Sequence, residues 1–438
     1  PPTIDTKETA PRTFGDLLRD PEAVAIAHNT VFDLGVLCAS DPTLIPLVFQ
    51  ALEDGKIKDT KIRQQLINLS RGCLTYDGIN RRRSSYALDR LVLDYLGLDI
   101  SEDKKDPTAW RLRFSELDGL PLSDWPPAAV QYAKEDARLT LEVFKAQNGG
   151  GPVTDENNQI KAAWALHLMT LRGLLIDKTA VDALEAELIP RVAALREKLA
   201  AAGILRPNGK KNMGKIRELV SAAYAARGVL PALTDGGKIS TNRETLAESG
   251  DPLLEIMANE SNAEKLLNTY VPALRVGRAN PQYSVLLESG RTSSRAPNVQ
   301  NVPRRGVRSC YTPRPGFVFV AVDYSTLELC ALAQINLDLF GASKMAEAIN
   351  GGDDLHLAVA AEILGITYDE AHARKEAGDE EVKNARSLAK ICNFGYAGGM
   401  GSASFVSFAK QSGVVITEEK AEELRAAWFR RWPEMKLF

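Results

Sequence analysis

PRPGFVFVAVDYSTLELCALAQI, residues 313–335, decides the fold of this chain. Phe317 to Val322 is a run of apolar, mostly β-branched or aromatic residues, bounded on one side by Pro-Gly punctuation and closed on the other by Asp323. That composition predicts a buried strand ending in a carboxylate, and the following LELCALAQI predicts a helix, so a strand-to-helix transition is expected at Asp323. A carboxylate there either caps the helix or projects into a cleft, and only neighbouring motifs can separate the two. Glu328 falls just inside the helix.

Working outward, RSLAKICNFGYAGG (386–399) sets Arg386, Lys390 and Phe394 at i, i+4 and i+8, which puts two cations and a ring on one helical face before a glycine-rich stop. Such a face can grip phosphates and lay a flat surface beside a sugar or base, although an amphipathic helix in solvent has the same pattern. Upstream, SGRTSSRAPNVQNVPRRGVRS (289–309) is rich in arginines, short polar donors and turn formers. Arg291, Arg295, Arg304, Arg305 and Arg308 suit a phosphate backbone, and Gln300 and Asn301 suit a groove edge, with a charged surface loop as the plain alternative. Arg206, Lys210, Lys211 and Lys215 form a further basic group that reads more simply as a solvated loop. Near the start, AHNTVFD and YAKED space Asn29 from Asp33 and Tyr132 from Asp136 by four, so each pair can share a helical face. Alone these are ordinary surface residues; together, if the fold gathers them, their carboxylates suit magnesium-assisted phosphodiester hydrolysis.

Composition limits the alternatives. The chain has 438 residues, 45% hydrophobic and 25% charged, enough for several domains and unlike a disordered or fibrous protein. With 54 Lys plus Arg against 57 Asp plus Glu, there is no global basic field, and any nucleic-acid surface must be local. Five scattered cysteines, Cys38, Cys73, Cys310, Cys330 and Cys392, argue against a disulfide scaffold or a zinc cluster, so a reducing, intracellular setting is expected. No long uncharged apolar stretch predicts a membrane span. GGGPV (149–153) precedes a long helical run, which places boundaries at 1–150 for an α/β domain, 151–310 for a mainly helical arm and 311–438 for an α/β or α+β region.

VDYSTLEL, the Arg386, Lys390, NFG segment and GRTSSRAPNVQN together resemble the family A DNA polymerases, and NTVFD and YAKED resemble the second and third motifs of that family's proofreading exonuclease. The resemblance implies a multidomain α/β protein: an RNase H-like exonuclease domain, a helical thumb, and an incomplete right-hand palm with fingers. It implies that Asp323 binds two magnesium ions, that Glu328 selects against ribose, and that Arg386 and Lys390 hold the triphosphate. Lys390 would also protonate pyrophosphate, with Phe394 and His356 at the incoming nucleotide. Arg291, Gln300 and Asn301 would line primer-template DNA, and Asp33, Tyr132 and Asp136 would serve a separate exonuclease metal pair. Primer-template DNA, deoxynucleoside triphosphates and replication accessory proteins are the implied partners of a monomer. An exonuclease with a DNA-binding polymerase-like region, or a noncatalytic primer-template binder, are the competing readings.

Some positions depart from that pattern. Cys330 stands where an arginine is usual, and Gly398 where an aromatic is usual, with Tyr396 nearby. YAGG resembles phage-type members. The sequence starts at Pro1 and stops at Phe438 with no His-Asp-Glu palm motif, and Asp5 and Glu8 make a poor Asp-x-Glu motif. A segment of a longer protein, inactive by itself in both chemistries, is therefore expected.

Overall fold

In the computed structural model, which describes residues 13–76, 83–101, 108–234, 236–304, 306–411 and 414–438, the run AVAIA opens a small parallel sheet. Strand β1 (Ala25–Ala27) pairs with β2 (Ile57–Asp59) in the register Ala25 to Ile57 and Ala27 to Asp59. Parallel neighbours need a crossover, and the Thr30–Ser40 and Ile45–Glu53 helices supply it. Val48, Leu52, Ile57 and Ile62 are buried there with Leu34, Ile160 and Trp164. The Pro127–Ala146 helix packs along β1, as does the Thr30–Ser40 helix.

Asp59 is the polar centre of this layer. It is buried, yet its carboxylate accepts from the backbone N–H groups of Asn29 at 3.3 Å, Thr30 at 2.8 Å, Lys61 at 2.8 Å and Ile62 at 3.1 Å. One side chain thus satisfies the open N-termini of the Thr30–Ser40 and Thr60–Ser70 helices, where the helix dipole also favours negative charge. A second buried charge is compensated differently. Arg63 donates to Glu156 at 2.8 Å and to the carbonyls of Gln147 and Gly151, which ties the Thr60–Ser70 helix to the start of the Glu156–Arg172 helix.

The chain divides into two compact units, Pro1–Val318 and Phe319–Phe438. In the first, residues beyond 156 are mainly helical. Val181, Leu184, Leu188 and Val192 follow helical spacing on Lys178–Ala201 and pack with Leu266, Val271 and Leu274. A short antiparallel sheet, β4 (Arg278–Ala279), β3 (Leu174–Ile176) and β7 (Tyr311–Thr312), closes this part, and β5 (Gln282–Ser284) pairs with β6 (Ser293–Arg295) as a hairpin.

The second unit is helical among the described residues, with helices Leu327–Phe340, Lys344–Asn350, Leu355–Leu364, Tyr368–Glu376, Glu380–Gly395, Ser402–Gln411 and Glu418–Arg431. Its core gathers Leu329, Leu332, Val359, Ala389, Tyr396, Phe405, Trp428 and Trp432. The strand expected at 317–323 is not formed. Val318, Val320 and Val322 are 79%, 79% and 84% exposed, and the segment pairs with no strand. The physical reason is lateral. A strand's backbone groups are satisfied only by neighbours, and among the described residues the second unit contains no strand to supply them. Among the described residues, no helix is long and apolar enough to cross a membrane.

Asp59→Ala removes the side-chain acceptor from two helix starts at once, and a loss of about 2–4 kcal/mol is expected. Urea unfolding of the two proteins followed by circular dichroism measures it; a difference below about 1 kcal/mol would show that water replaces the carboxylate.

Candidate functional site

The Glu380–Gly395 helix starts at an Asp379 cap whose carboxylate accepts from the N–H of Glu381 and Val382. Val382, Ala385, Ala389 and Cys392 bury one stripe. The opposite stripe leaves Lys390 exposed and Phe394 42% exposed, with Arg386 half-buried beside them. The expected face is therefore present as a surface feature. Gly395, which ends it, is needed for close packing, because a Cβ there would come within 2.8 Å of the Phe405 ring.

Arg386 has a partner that the sequence reading did not single out. Its Nε donates to Asp354 Oδ2 at 2.7 Å. The other oxygen of Asp354 accepts from His356 N at 3.0 Å and Leu357 N at 3.1 Å, capping the Leu355–Leu364 helix. Burial works to raise the Asp354 carboxyl, but the Arg386 hydrogen bond, the Leu357 N–H and the nearby cationic charge outweigh it and hold the group below the ordinary carboxylate value. The signal for Asp354 was in the sequence, since an Asp immediately before the apolar run LHLAVAAEIL is a helix-start pattern.

His356 lies on this capped helix, buried, with its ring centroid 6.1 Å from that of Phe394. Burial lowers its pKa, Arg386 and Lys390 lower it further, and Asp354 acts the other way. Arg386, Lys390, Phe394 and His356 are thus carried by two packed helices. Tyr396 is not part of the surface. It is 3% exposed, stacks on Phe405 at 4.2 Å and donates its hydroxyl to the Ala421 carbonyl at 2.6 Å, so it is a core residue.

Asp323 is exposed, and Glu328 is exposed in the first turn of the Leu327–Phe340 helix. The capping role weighed for Asp323 does not occur. Thr326 occupies the N-cap with a left-handed backbone and makes no side-chain cap hydrogen bond. Thr326 Oγ1 lies 3.8 Å from Cys330 Sγ.

In the first unit, Asn29 is the left-handed N-cap residue of the Thr30–Ser40 helix, and Asp33 is in its first turn. Tyr132 and Asp136 are half-buried on the Pro127–Ala146 helix. Both helices pack on β1. Protein crowding around its carboxyl, and next the charge of Asp59, raise the Asp33 pKa although part of the side chain reaches solvent. Asp5 and Glu8 lie outside the described residues, as does Arg305.

Arg291, Gln300 and Asn301 are exposed around the β5–β6 hairpin. Their loop is shaped by Ser294 and Asn298. Ser294 Oγ accepts from the N–H of Val299 and Gln300, and Asn298 Oδ1 accepts from those of Gln300 and Asn301. Gln300 Nε2 donates to Thr292 Oγ1 at 2.9 Å, which braces the side chain. The other basic group is partly consumed inside the fold. Lys211 pairs with buried Glu260 at 3.0 Å, and Lys215 donates to the Ala202 carbonyl at 2.6 Å.

Magnesium takes hard oxygen donors and is commonly held by one or two carboxylates with substrate phosphates and water. Asp323 in one unit and Asp33 and Asp136 in the other are donors of that kind. Among the described residues, no three His, Cys, Asp or Glu side chains converge as a ready-made metal cage.

Comparison with known proteins agrees with this architecture. The model of DNA polymerase family A matches residues 180–438, and that of a 3'-5' exonuclease matches residues 3–147. The chain belongs to DNA polymerase family A, with a multidomain α/β architecture of RNase H-like exonuclease and polymerase regions. DNA polymerase I of Pseudomonas aeruginosa is 27% identical over 451 residues, covering 96% of this chain and 44% of that protein. DNA polymerase I of Aquifex aeolicus is 31% identical over 210 residues, covering 46% of this chain and 34% of that protein. The POL domain of Pol1 from M. smegmatis, in complex with DNA primer-template and dNTP, shares the fold with a TM-score of 0.63 at 19% identity, covering 96% of this chain and 66% of that one. The matched stretch covers less than half the length of each of these two polymerase I relatives.

The Asp354–Arg386 contact yields a pH-dependent test. Asp354→Asn keeps an oxygen for the cap but loses the charge opposite Arg386, and at neutral pH a loss of about 1 kcal/mol is expected for this half-exposed pair. Because the folded carboxyl sits below its unfolded value, its contribution is present above the ordinary carboxylate pKa and is lost as pH falls through the folded one. Urea midpoints should therefore converge in the acid range. A constant gap would show that the pair contributes no charge-dependent stability.

Proposed function

We propose that the protein to which this chain belongs extends a DNA primer on a template, adding deoxynucleoside triphosphates to the 3' hydroxyl, and removes mispaired ends with a 3'-5' exonuclease. The face made by Arg386, Lys390, Phe394 and His356 carries this reading. Clustered cations alone would serve duplex phosphates as well; the exposed ring and the imidazole beside them favour an incoming triphosphate, which presents anionic oxygens next to a flat base.

In this reading, residues 1–150 form the exonuclease domain, 151–310 the thumb and DNA-binding region, and 311–438 part of palm and fingers. Arg386 leaves Asp354 for the triphosphate, exchanging one oxyanion for another, so its guanidinium is already ordered before nucleotide arrives. Lys390 neutralises charge at the leaving pyrophosphate and can hand it a proton. Phe394 lies beside the base or sugar, and Glu328 crowds the ribose 2' position. Asp323 would hold magnesium together with the triphosphate, and Asp33 and Asp136 would hold it at the exonuclease. When bound, the metal stabilises the attacking oxygen and the charge on the phosphoryl oxygens. Arg291, Gln300 and Asn301 contact the primer-template backbone, which fixes position while base pairing chooses the nucleotide.

The test is extension of a labelled primer by the complete reading frame with magnesium and all four deoxynucleotides. Template-dependent growth is expected, and Arg386→Ala or Lys390→Ala should lower kcat/KM by about 10²–10³-fold, as for loss of one transition-state contact. A folded full-length sample that never lengthens the primer would overturn the polymerase reading.

A further inference from the structure

Asn393 is wholly buried one residue before Phe394, on the same helix as Arg386 and Lys390. A buried amide costs free energy unless every polar atom finds a partner, and here each does. Its Oδ1 accepts from Trp428 Nε1 at 2.9 Å and Trp432 Nε1 at 3.3 Å. Its Nδ2 donates to the Leu355 carbonyl at 3.2 Å and lies 2.9 Å from His356 Nδ1.

These partners settle the chemistry of the His356 ring. The two ends of an amide are alike in size, so their assignment has to come from what they meet. An indole N–H can only donate, and two of them converge on one end of the Asn393 amide, which must therefore be oxygen. The other end is NH₂. One of its hydrogens goes to a carbonyl, which can only accept. The second points at His356 Nδ1, which must accept and so carries no proton. In a neutral imidazole the proton is then on Nε2.

We infer that Asn393 is a positioning residue that holds His356 as its neutral Nε2–H tautomer, so that the ring offers one N–H donor to the triphosphate gripped by Arg386 and Lys390. This deepens the nucleotide reading above and rests on it. The charged groups facing the ring are Asp354 on its own helix and Arg386 and Lys390 on the Glu380–Gly395 helix. The Glu418–Arg431 helix and the residue after it bring two uncharged indoles into the network. Protonating Nδ1 would set N–H against NH₂. The amide cannot turn to relieve that clash without aiming its NH₂ at two indole N–H groups. The network therefore resists both the other tautomer and the imidazolium, and burial together with Arg386 and Lys390 acts the same way. Neither Trp428 nor Trp432 would contact nucleotide, yet both set the donor that does.

Long-range nitrogen–proton NMR on the chain labelled with ¹⁵N-histidine reads the tautomer directly. The chain has four histidines, and His356→Gln assigns the signal of interest. At neutral pH, His356 Nδ1 is expected at the shift of an unprotonated ring nitrogen and Nε2 at that of a protonated one. Asn393→Asp replaces the NH₂ with an acceptor and should move a proton onto Nδ1. A parent chain with Nδ1 protonated, or an Asn393→Asp chain with an unchanged pattern, overturns the inference. Should that variant not fold, the parent spectrum and a second pair of variants still decide. A Gln amide can place its NH₂ near the Nε2 position and an Asn amide cannot, so His356→Asn should bind dATP with magnesium about 10-fold more weakly than His356→Gln, the worth of one hydrogen bond to a charged acceptor. Equal affinities for the two variants overturn the donor role. A parent with the assigned tautomer that binds no dATP overturns the nucleotide reading and leaves the Asn393–His356 assignment standing.

Discussion

The Asp354 carboxylate joins the two helices on which the candidate nucleotide face is built. One oxygen closes the start of the Leu355–Leu364 helix through the N–H groups of His356 and Leu357, and the other takes Arg386 Nε at 2.7 Å from the Glu380–Gly395 helix. Both uses are favoured because the site is partly shielded from water, which strengthens a charge-assisted hydrogen bond while leaving it exchangeable. A fully exposed carboxylate would hold the guanidinium weakly, and a fully buried pair would be too costly to break during a catalytic cycle. Asn393 supplies the matching apolar-side restraint, fixing the His356 ring from beneath while Asp354 fixes the backbone that carries it.

The need to satisfy every polar group also shapes the second unit. Its helices satisfy their own backbones and bury Trp428, Trp432 and Phe405 among alanines and leucines. Phe317 to Val322 has the composition of a core strand but no lateral partner among the described residues, and its side chains stay in water. Burial of each such valine is worth about 1.5–3 kcal/mol. The first unit shows the contrary case. Ala25–Ala27 and Ile57–Asp59 are individually poor strands, and they persist because each has the other and because Asp59 meets the helix ends above them.

Much of the site could be read from spacing. Arg386, Lys390 and Phe394 four apart require one helical face once the segment is helical, and that face is present. Asn29, Asp33, Tyr132 and Asp136 were legible only as local pairs, because nothing in a linear sequence says that both helices pack on β1. At 317–323 the complementary limit applies: composition reports a preference for pairing, while pairing itself needs a second segment, and none is there among the described residues of the second unit. Lys211 and Lys215 belonged to a readable basic group, yet Glu260 and the Ala202 carbonyl, which occupy them, come from elsewhere in the chain.

The sequence by itself determined the family and the helical face with its cations and ring, because these depend on residue type and on a periodicity that any helix imposes. Only the tertiary structure decided that Arg386 rests on Asp354, that Tyr396 is core, that Asp323 caps nothing, and which nitrogen of His356 carries the proton. The Arg386, Tyr396 and His356 facts are set by contacts between residues 25 to 39 positions apart and by how far each is shielded from water. No local pattern encodes either.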